Sequence, residues 1–344
     1  MKNVNLYEKS IGDGNSCYFV AEIGGLFNSI EEAKRLIDSA IEIGIDAVKF
    51  QTLEADTITT KKNYFNLGVT GHVSQYEFFK QFEPSKELQM QVVNYANEVS
   101  MPIFSAPSHM KDLEIMKKME LPIYKIGSDL ACHIPLLKEI ASFDKPIILS
   151  TGMCSLNEIR DSVNAIIETG NEQLILLHCV SDYPAKIEES NLNVIQTMKD
   201  EFELPVGYSD HTIGLDVSIA AVTLGANILE KHFRHPNNSS AADDEHAITP
   251  SQFRDLIKHS RDIEKAKGNG IKIPTDSEKK NLIENRVSIV SLMDISANTI
   301  ITKEMIDVRR PGNGLPPKYF EQLIGKKTKI DIKSETPITW DFFK

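Results

Sequence analysis

The chain of 344 residues lacks several things, and each absence excludes a class. It has four cysteines, Cys17, Cys132, Cys154 and Cys179, scattered without a C-x-x-C pair. That leaves no disulfide framework, and buried reduced thiols in a cytosolic protein are expected. No apolar run approaches a membrane span in length. The polar start Met1-Lys2-Asn3-Val4-Asn5 has no apolar signal core, so a cytoplasmic protein without a membrane partner is expected. Positive charge is also scarce: 38 Lys and Arg stand against 49 Asp and Glu, a formal charge of -11. A nucleic-acid partner is thereby excluded, whereas a local basic pocket for a small anion is not. A glycine-rich dinucleotide turn is missing too, since Glu22-Ile23-Gly24-Gly25 does not fit G-x-G-x-x-G.

What is present is an alternation. From Cys17 to about Lys267, short apolar runs exchange with amphipathic helical patterns. The strands predicted are Tyr18–Ile23, Ala47–Phe50, Ile103–Ser105, Ile123–Ile126, Ile147–Ser150, Leu174–His178, Val206–Tyr208 and Ile228–His232. Helical stretches such as Ile30–Ile43, Glu87–Val99, Leu156–Thr169 and Pro250–Lys267 lie between them. Eight such units predict an α/β fold, a closed (β/α)₈ TIM barrel, over residues 1–273. The long connection from Thr52 to about Pro84 carries an aromatic cluster, which fits either an excursion over the barrel mouth or a self-packed surface insert. A polar linker over 274–284 and a small mostly-β domain over 285–344 complete the organisation.

Barrel chemistry gathers at the carboxyl ends of the strands. Those ends offer Glu22, Lys49 with Gln51, Ser105, Lys125 with Ser128, Ser150, His178, Asp210 with His211, and Glu230 with His232. Glu230 and His232 share one face of an extended strand, and Lys231 points the other way. Two histidines delivered to one rim beside a carboxylate form a candidate open site for a divalent metal. Lys49 and Lys125 interrupt apolar strands, where a lysine needs a partner. Either they form internal salt bridges to Glu22 or Glu230, or they cradle an anion with serine hydroxyls. The acidic loop Ser239–His246 fits a solvated face or a carboxylate folded over the metal. Arg310 sits in a Pro-Gly and Asn-Gly turn of the small domain.

In order, Val48-Lys49-Phe50-Gln51, Tyr124-Lys125-Ile126-Gly127-Ser128, Ile148-Leu149-Ser150-Thr151-Gly152-Met153, His178-Cys179-Val180-Ser181-Asp182-Tyr183-Pro184, Tyr208-Ser209-Asp210-His211-Thr212, Glu230-Lys231-His232-Phe233 and Arg310-Pro311-Gly312-Asn313-Gly314 resemble the sialic acid synthases. These make N-acetylneuraminate, legionaminate and pseudaminate. The resemblance covers nearly the whole chain, and residues 285–344 look like the antifreeze-like SAF domain of those enzymes. It implies a transferase that condenses phosphoenolpyruvate with the open-chain aldehyde of an N-acylated aminosugar. It further implies that His211 and His232 hold Mn²⁺ or Mg²⁺, and that Lys49, Lys125, Ser128 and Ser150 hold phosphoenolpyruvate. Glu22 and Glu230 would position water and move protons. Gln51, Tyr183 and Asp243 would contact the sugar. A homodimer is implied, with Arg310 reaching the partner's sugar from a SAF domain that crosses to cover the partner barrel.

The chain departs from the family pattern at Gly24–Asn28, Ala106, Leu130 and Arg234–Ala242, all of which bear on substrate contacts rather than on the metal pair. Two other readings compete. A lysine aldolase would use Lys49 or Lys125 as a Schiff-base nucleophile, and a non-catalytic relative would only bind sugar.

Overall fold

The alternation closes into a barrel. In the computed structural model, which describes residues 2–67, 71–238 and 245–343, a short antiparallel hairpin of β1 (Val4–Leu6) and β2 (Lys9–Ile11) comes first. Then follow β3 (Tyr18–Glu22), β4 (Ala47–Thr52), a small hairpin β5 (Tyr64–Leu67) and β6 (Gly71–Ser74), β7 (Ile103–Pro107), β8 (Tyr124–Ile126), β9 (Ile147–Ser150), β10 (Leu174–Cys179), β11 (Val206–Asp210) and β12 (Ile228–His232). Strands β3, β4 and β7 to β12 form one closed parallel barrel, in which β12 pairs with β3 to seal the ring. The (β/α)₈ expectation therefore holds, and two of the strands, β9 and β12, have the expected ends.

Side-chain alternation along these strands sorts residues into two cores. Phe19, Ala21, Val48, Phe50, Tyr124, Ile126, Leu149, Leu176, Tyr208 and Leu229 pack outward under the helices. Tyr18, Val20, Ala47, Phe104, Ile123, Ile148, Ile175, Leu177 and Ile228 fill the interior together with Val4, Leu6 and Ile11 of the first hairpin. That hairpin plugs the amino end of the barrel with apolar side chains. The inward positions one step further along the strands are polar, and the site lies there.

The helices have ordinary local causes. Over Ile30–Ile43, Ser29 accepts from Glu32 N at the start, and Gly44 ends the helix at φ 80. Its buried face is Ala33, Leu36, Ile37, Ala40 and Ile43, the spacing of a one-sided helix. Thr249 and Gln252 form a capping box ahead of Pro250–Lys267. Helices over Lys86–Glu98, Leu113–Lys118, Ile134–Ala141, Leu156–Ile167, Val194–Phe202 and Asp216–Thr223 make up the rest of the shell.

In the connection after β4, Phe65, Phe78, Phe79 and Phe82 pack on one another with ring centroids 5.0–5.8 Å apart. The aromatic cluster of this insert thus packs on itself. Among the described residues no helix is long and apolar enough to cross a membrane.

The chain divides into two units, Met1–Gly268 and Asn269–Lys344. In the second, β13 (Ser288–Ser291) pairs antiparallel with β14 (Ile306–Arg309), and Ile289, Ile295, Ile301, Ile306, Leu315, Leu323, Ile332 and Ile338 form a small core. The segment 274–284, read as a linker, carries a short helix over Lys279–Glu284. One expectation holds only in part: all four cysteines are free and Cys17 and Cys179 are buried, but Cys132 is exposed and Cys154 only half-buried. Both stand in connections between a strand and the following helix, where the apolar pattern of their neighbours does not fix burial.

Candidate active site

Register brings the expected residues side by side. His232 of β12 lies opposite Glu22 of β3, and Glu22 lies opposite Lys49 of β4. Lys49 Nζ sits 2.7 Å from Glu22 Oε2 and 2.7 Å from Glu230 Oε1. Glu22 Oε1 accepts from Gly24 N at 2.6 Å and from Gln51 Nε2 at 3.3 Å. Lys125 Nζ donates to Ser150 Oγ at 2.6 Å and lies 3.9 Å from Glu230 Oε1. The salt-bridge and cradle readings of the two lysines are thus not exclusive. The carboxylates hold the ammonium groups in a buried place where a more negative ligand could compete for them.

The electrostatics follow from burial. Desolvation lowers Lys49 to about 8, with the Glu230 carboxylate opposing and the Lys125 ammonium reinforcing it. Burial by itself would raise Glu230, but Lys125 and Lys49 outweigh it and hold this carboxyl at about 2. Glu230 is therefore a carboxylate at any physiological pH and anchors both cations.

Ser128 Oγ accepts from Gly152 N at 2.9 Å and lies 3.1 Å from Cys179 Sγ. Gly152 has a steric reason to be glycine. A Cβ there would stand 2.2 Å from Ser181 Oγ, 2.8 Å from Cys179 Sγ and 2.9 Å from Ser128 Oγ.

The two histidines also meet. Their ring centroids are 5.5 Å apart, and the Tyr183 ring lies 4.2 Å from His211. His211 Nδ1 lies 2.8 Å from the Val180 carbonyl, which can only accept, so Nδ1 carries the proton and Nε2 keeps its lone pair. Burial and the adjacent His232 pull His211 down to about 4, which keeps the ring neutral at pH 7. A neutral, oriented imidazole beside a second one is a donor set suited to a borderline divalent ion. Among the described residues no cluster of three His, Cys, Asp or Glu side chains is arranged as a metal cage. The two imidazoles by themselves fit the donor set of an open site that takes its other ligands from elsewhere.

Three strand-end residues leave the site. Ser105 lies 2.7 Å from Thr52 Oγ1, and His178 Nε2 lies 2.8 Å from the Ser190 carbonyl. Asp210 accepts from Lys231 Nζ at 2.8 Å and bonds Ser218 of the helix behind it. All three have the outward parity of their strands, so alternation rather than proximity to the strand end decides membership. Arg310 belongs to the second unit, where it donates to Asn285 Oδ1 at 3.3 Å. Asp243 lies outside the described residues.

Sequence reasoning passed over Cys179 and Ser209, whose inward parity follows from Leu177 and Gly207; Ser209 Oγ donates to Glu230 Oε1 at 3.1 Å. It also passed over His246, buried with its ring centroid 4.6 Å from that of His232. No periodicity marks a histidine in a loop, so only the folded chain reveals that neighbour.

The NeuB family profile matches residues 36–272, well over half of the chain. The chain belongs to the NeuB family. A SAF domain profile matches residues 286–344. Among curated relatives, the N,N'-diacetyllegionaminic acid synthase of Campylobacter jejuni is 37% identical over 92% of this NeuB-family chain and 97% of its own length. The pseudaminic acid synthase of the same species is 31% identical, over 92% and 93%. Among solved structures, the sialic acid synthetase of Leptospira borgpetersenii in complex with citrate is 29% identical, with a TM-score of 0.72, covering 82% of this chain and 95% of that one.

Proposed function

We propose that this NeuB-family chain is a nonulosonate synthase. It joins phosphoenolpyruvate to the open-chain aldehyde of an N-acylated aminosugar, giving a nine-carbon 2-keto-3-deoxy acid and phosphate. The single observation that carries the reading is the shared cluster at the carboxyl end of the barrel: Lys49 between Glu22 and Glu230, Lys125 on Ser150, and the two imidazoles beside them.

Lys49 and Lys125 offset the charge of the phosphate and carboxylate, and the hydroxyls of Ser128 and Ser150 add directed hydrogen bonds. The methylene carbon of phosphoenolpyruvate bonds to the aldehyde carbon, and the aldehyde oxygen takes a proton. Water adds at the adjacent carbon that bears the phosphate, and the tetrahedral adduct collapses to the ketone with loss of phosphate through C–O cleavage. Glu22, which faces Gly24 N and Gln51 as well as Lys49, positions that water and moves its proton. Glu230 serves as the cation anchor. Gln51, Tyr183 and Asp243 contact the sugar. Mn²⁺ or Mg²⁺ held by His211 and His232 would supply Lewis-acid polarisation of the aldehyde. The working unit is a cytoplasmic homodimer, with Arg310 of one protomer serving its partner's sugar site.

One observation favours a Schiff-base aldolase, the lowered pKa of Lys49. Against it, that ammonium is held by two carboxylates at 2.7 Å each, which favours the protonated, non-nucleophilic form. Borohydride trapping with pyruvate separates the two: an adduct on Lys49 would replace the synthase reading.

The direct test incubates the protein with Mn²⁺, phosphoenolpyruvate and a panel of N-acetylmannosamine and 2,4-diacetamido-6-deoxyhexoses. Phosphate release is followed together with product mass. A diacetamido sugar is the expected substrate, in line with the named product of the Campylobacter relative. No release with any N-acyl sugar refutes the proposal.

A further inference from the structure

Two thiols outside this chemistry lie against each other. Cys132 Sγ and Cys154 Sγ are 3.7 Å apart across 22 residues of sequence. Cys132 is exposed and Cys154 half-buried, so an oxidant in solution can reach the pair. Each stands on a loop that carries cradle residues. Cys132 follows the turn Ser128–Leu130 that ends β8. Cys154 lies between Ser150 of β9 and Ser155, the N-cap of the helix Leu156–Ile167. The same two loops are already joined by the hydrogen bond from Gly152 N to Ser128 Oγ.

We propose that Cys132 and Cys154 are a modification site that closes to a reversible disulfide on exposure to peroxides or low-molecular-weight disulfides, and that closure weakens the anion cradle. Exposed Cys132 is the sulfur that attacks the oxidant. With peroxide its thiolate becomes a sulfenic acid and one water leaves. The Cys154 sulfur then attacks the Cys132 sulfur, expelling the hydroxyl as a second water. The two thiols lose two protons and two electrons, and the peroxide takes up both. With a small disulfide, the first attack yields a mixed disulfide and one small thiol, and Cys154 then displaces the second. Burial and the adjacent Cys132 raise Cys154 to about 12, which makes Cys154 the slower, resolving partner.

The sulfurs must close from 3.7 Å to about 2.05 Å, so the two side chains and the loops that carry them draw together. Gly152 packs closely against Ser181, Cys179 and Ser128, and its N–H bonds Ser128 Oγ, so a shift of the Cys154 loop is felt at Ser128. This second half rests on the proposed synthase reading, whereas formation of the bond does not.

The test uses the full chain in glutathione redox buffers and, separately, in hydrogen peroxide. Peptide mapping is expected to show a Cys132–Cys154 cross-link with loss of two free thiols, reversed by dithiothreitol. The oxidised protein should show a KM for phosphoenolpyruvate raised about tenfold, the scale of one lost hydrogen bond to a charged group. Cys132→Ser should turn over like the reduced protein and keep its KM under oxidant. Thiols that stay free in oxidising buffer, or a cross-link to another cysteine, overturn the site. A mapped cross-link with unchanged KM overturns its coupling to the cradle. If the reduced protein releases no phosphate at all, the synthase reading fails while the mapping still decides the disulfide.

Discussion

The proton on Lys49 sets an upper pH limit for the proposed reaction. Nζ is buried, and desolvation lowers its pKa from 10.5 to about 8. That drop corresponds to about 3 kcal/mol disfavouring the cation, even with two carboxylates at 2.7 Å. If the ammonium form binds the phosphoenolpyruvate anion, kcat/KM is flat below about 8 and falls above it, reaching about a tenth of the plateau one pH unit higher. Stability moves the other way. Below about 8 both folded and unfolded chains hold this proton, and the burial cost is constant. Between about 8 and 10.5 only the unfolded chain holds it, so this lysine's contribution to unfolding free energy rises with pH. The lost activity is therefore not lost fold, and circular dichroism at pH 9 should match that at pH 7. Lys49→Arg keeps a permanent charge, so its plateau should be lower but without the limb near 8. A wild-type profile that stays level to pH 10, or a limb that survives in Lys49→Arg, refutes the role of this ammonium.

Three other outcomes are expected. His232→Ala should abolish turnover while leaving the barrel folded, and chelation of the wild type should do the same, reversibly on adding Mn²⁺; a collapse of Tm in metal-free buffer would contradict it. Gly152→Ala should raise KM for phosphoenolpyruvate, because the new methyl meets Ser128 Oγ, Ser181 Oγ and Cys179 Sγ at under 3 Å; an unchanged KM would show that the loop yields freely. Lys231→Met removes the ammonium of β12 from fully buried Asp210 of β11, so thermal unfolding should report a loss of about 3–5 kcal/mol, and a neutral result would remove that pair from the stability of the barrel.

Much of this was legible without coordinates. Eight apolar runs separated by helical periods dictate a barrel, because parallel strands need crossovers and each helix must bury one face. The spacing of Glu230 and His232 already put them on one face and Lys231 on the other, and Lys231 does pair with Asp210 behind the strand. The first hairpin was not legible: three residues per strand carry too little period to read, yet Val4, Leu6 and Ile11 close the barrel floor.

Tertiary structure alone decided the partners. Lys49 meets Glu230 only because β12 returns to β3, 181 residues from where the lysine was made. Likewise His246 reaches His232 because Ile248 pairs back with Phe233, and Cys132 reaches Cys154 through loops that follow different strands. Periodicity reports which way a side chain faces along its own element. Which side chains share a few ångströms of space depends on how the ring closes, and a ring is a property of all eight strands together.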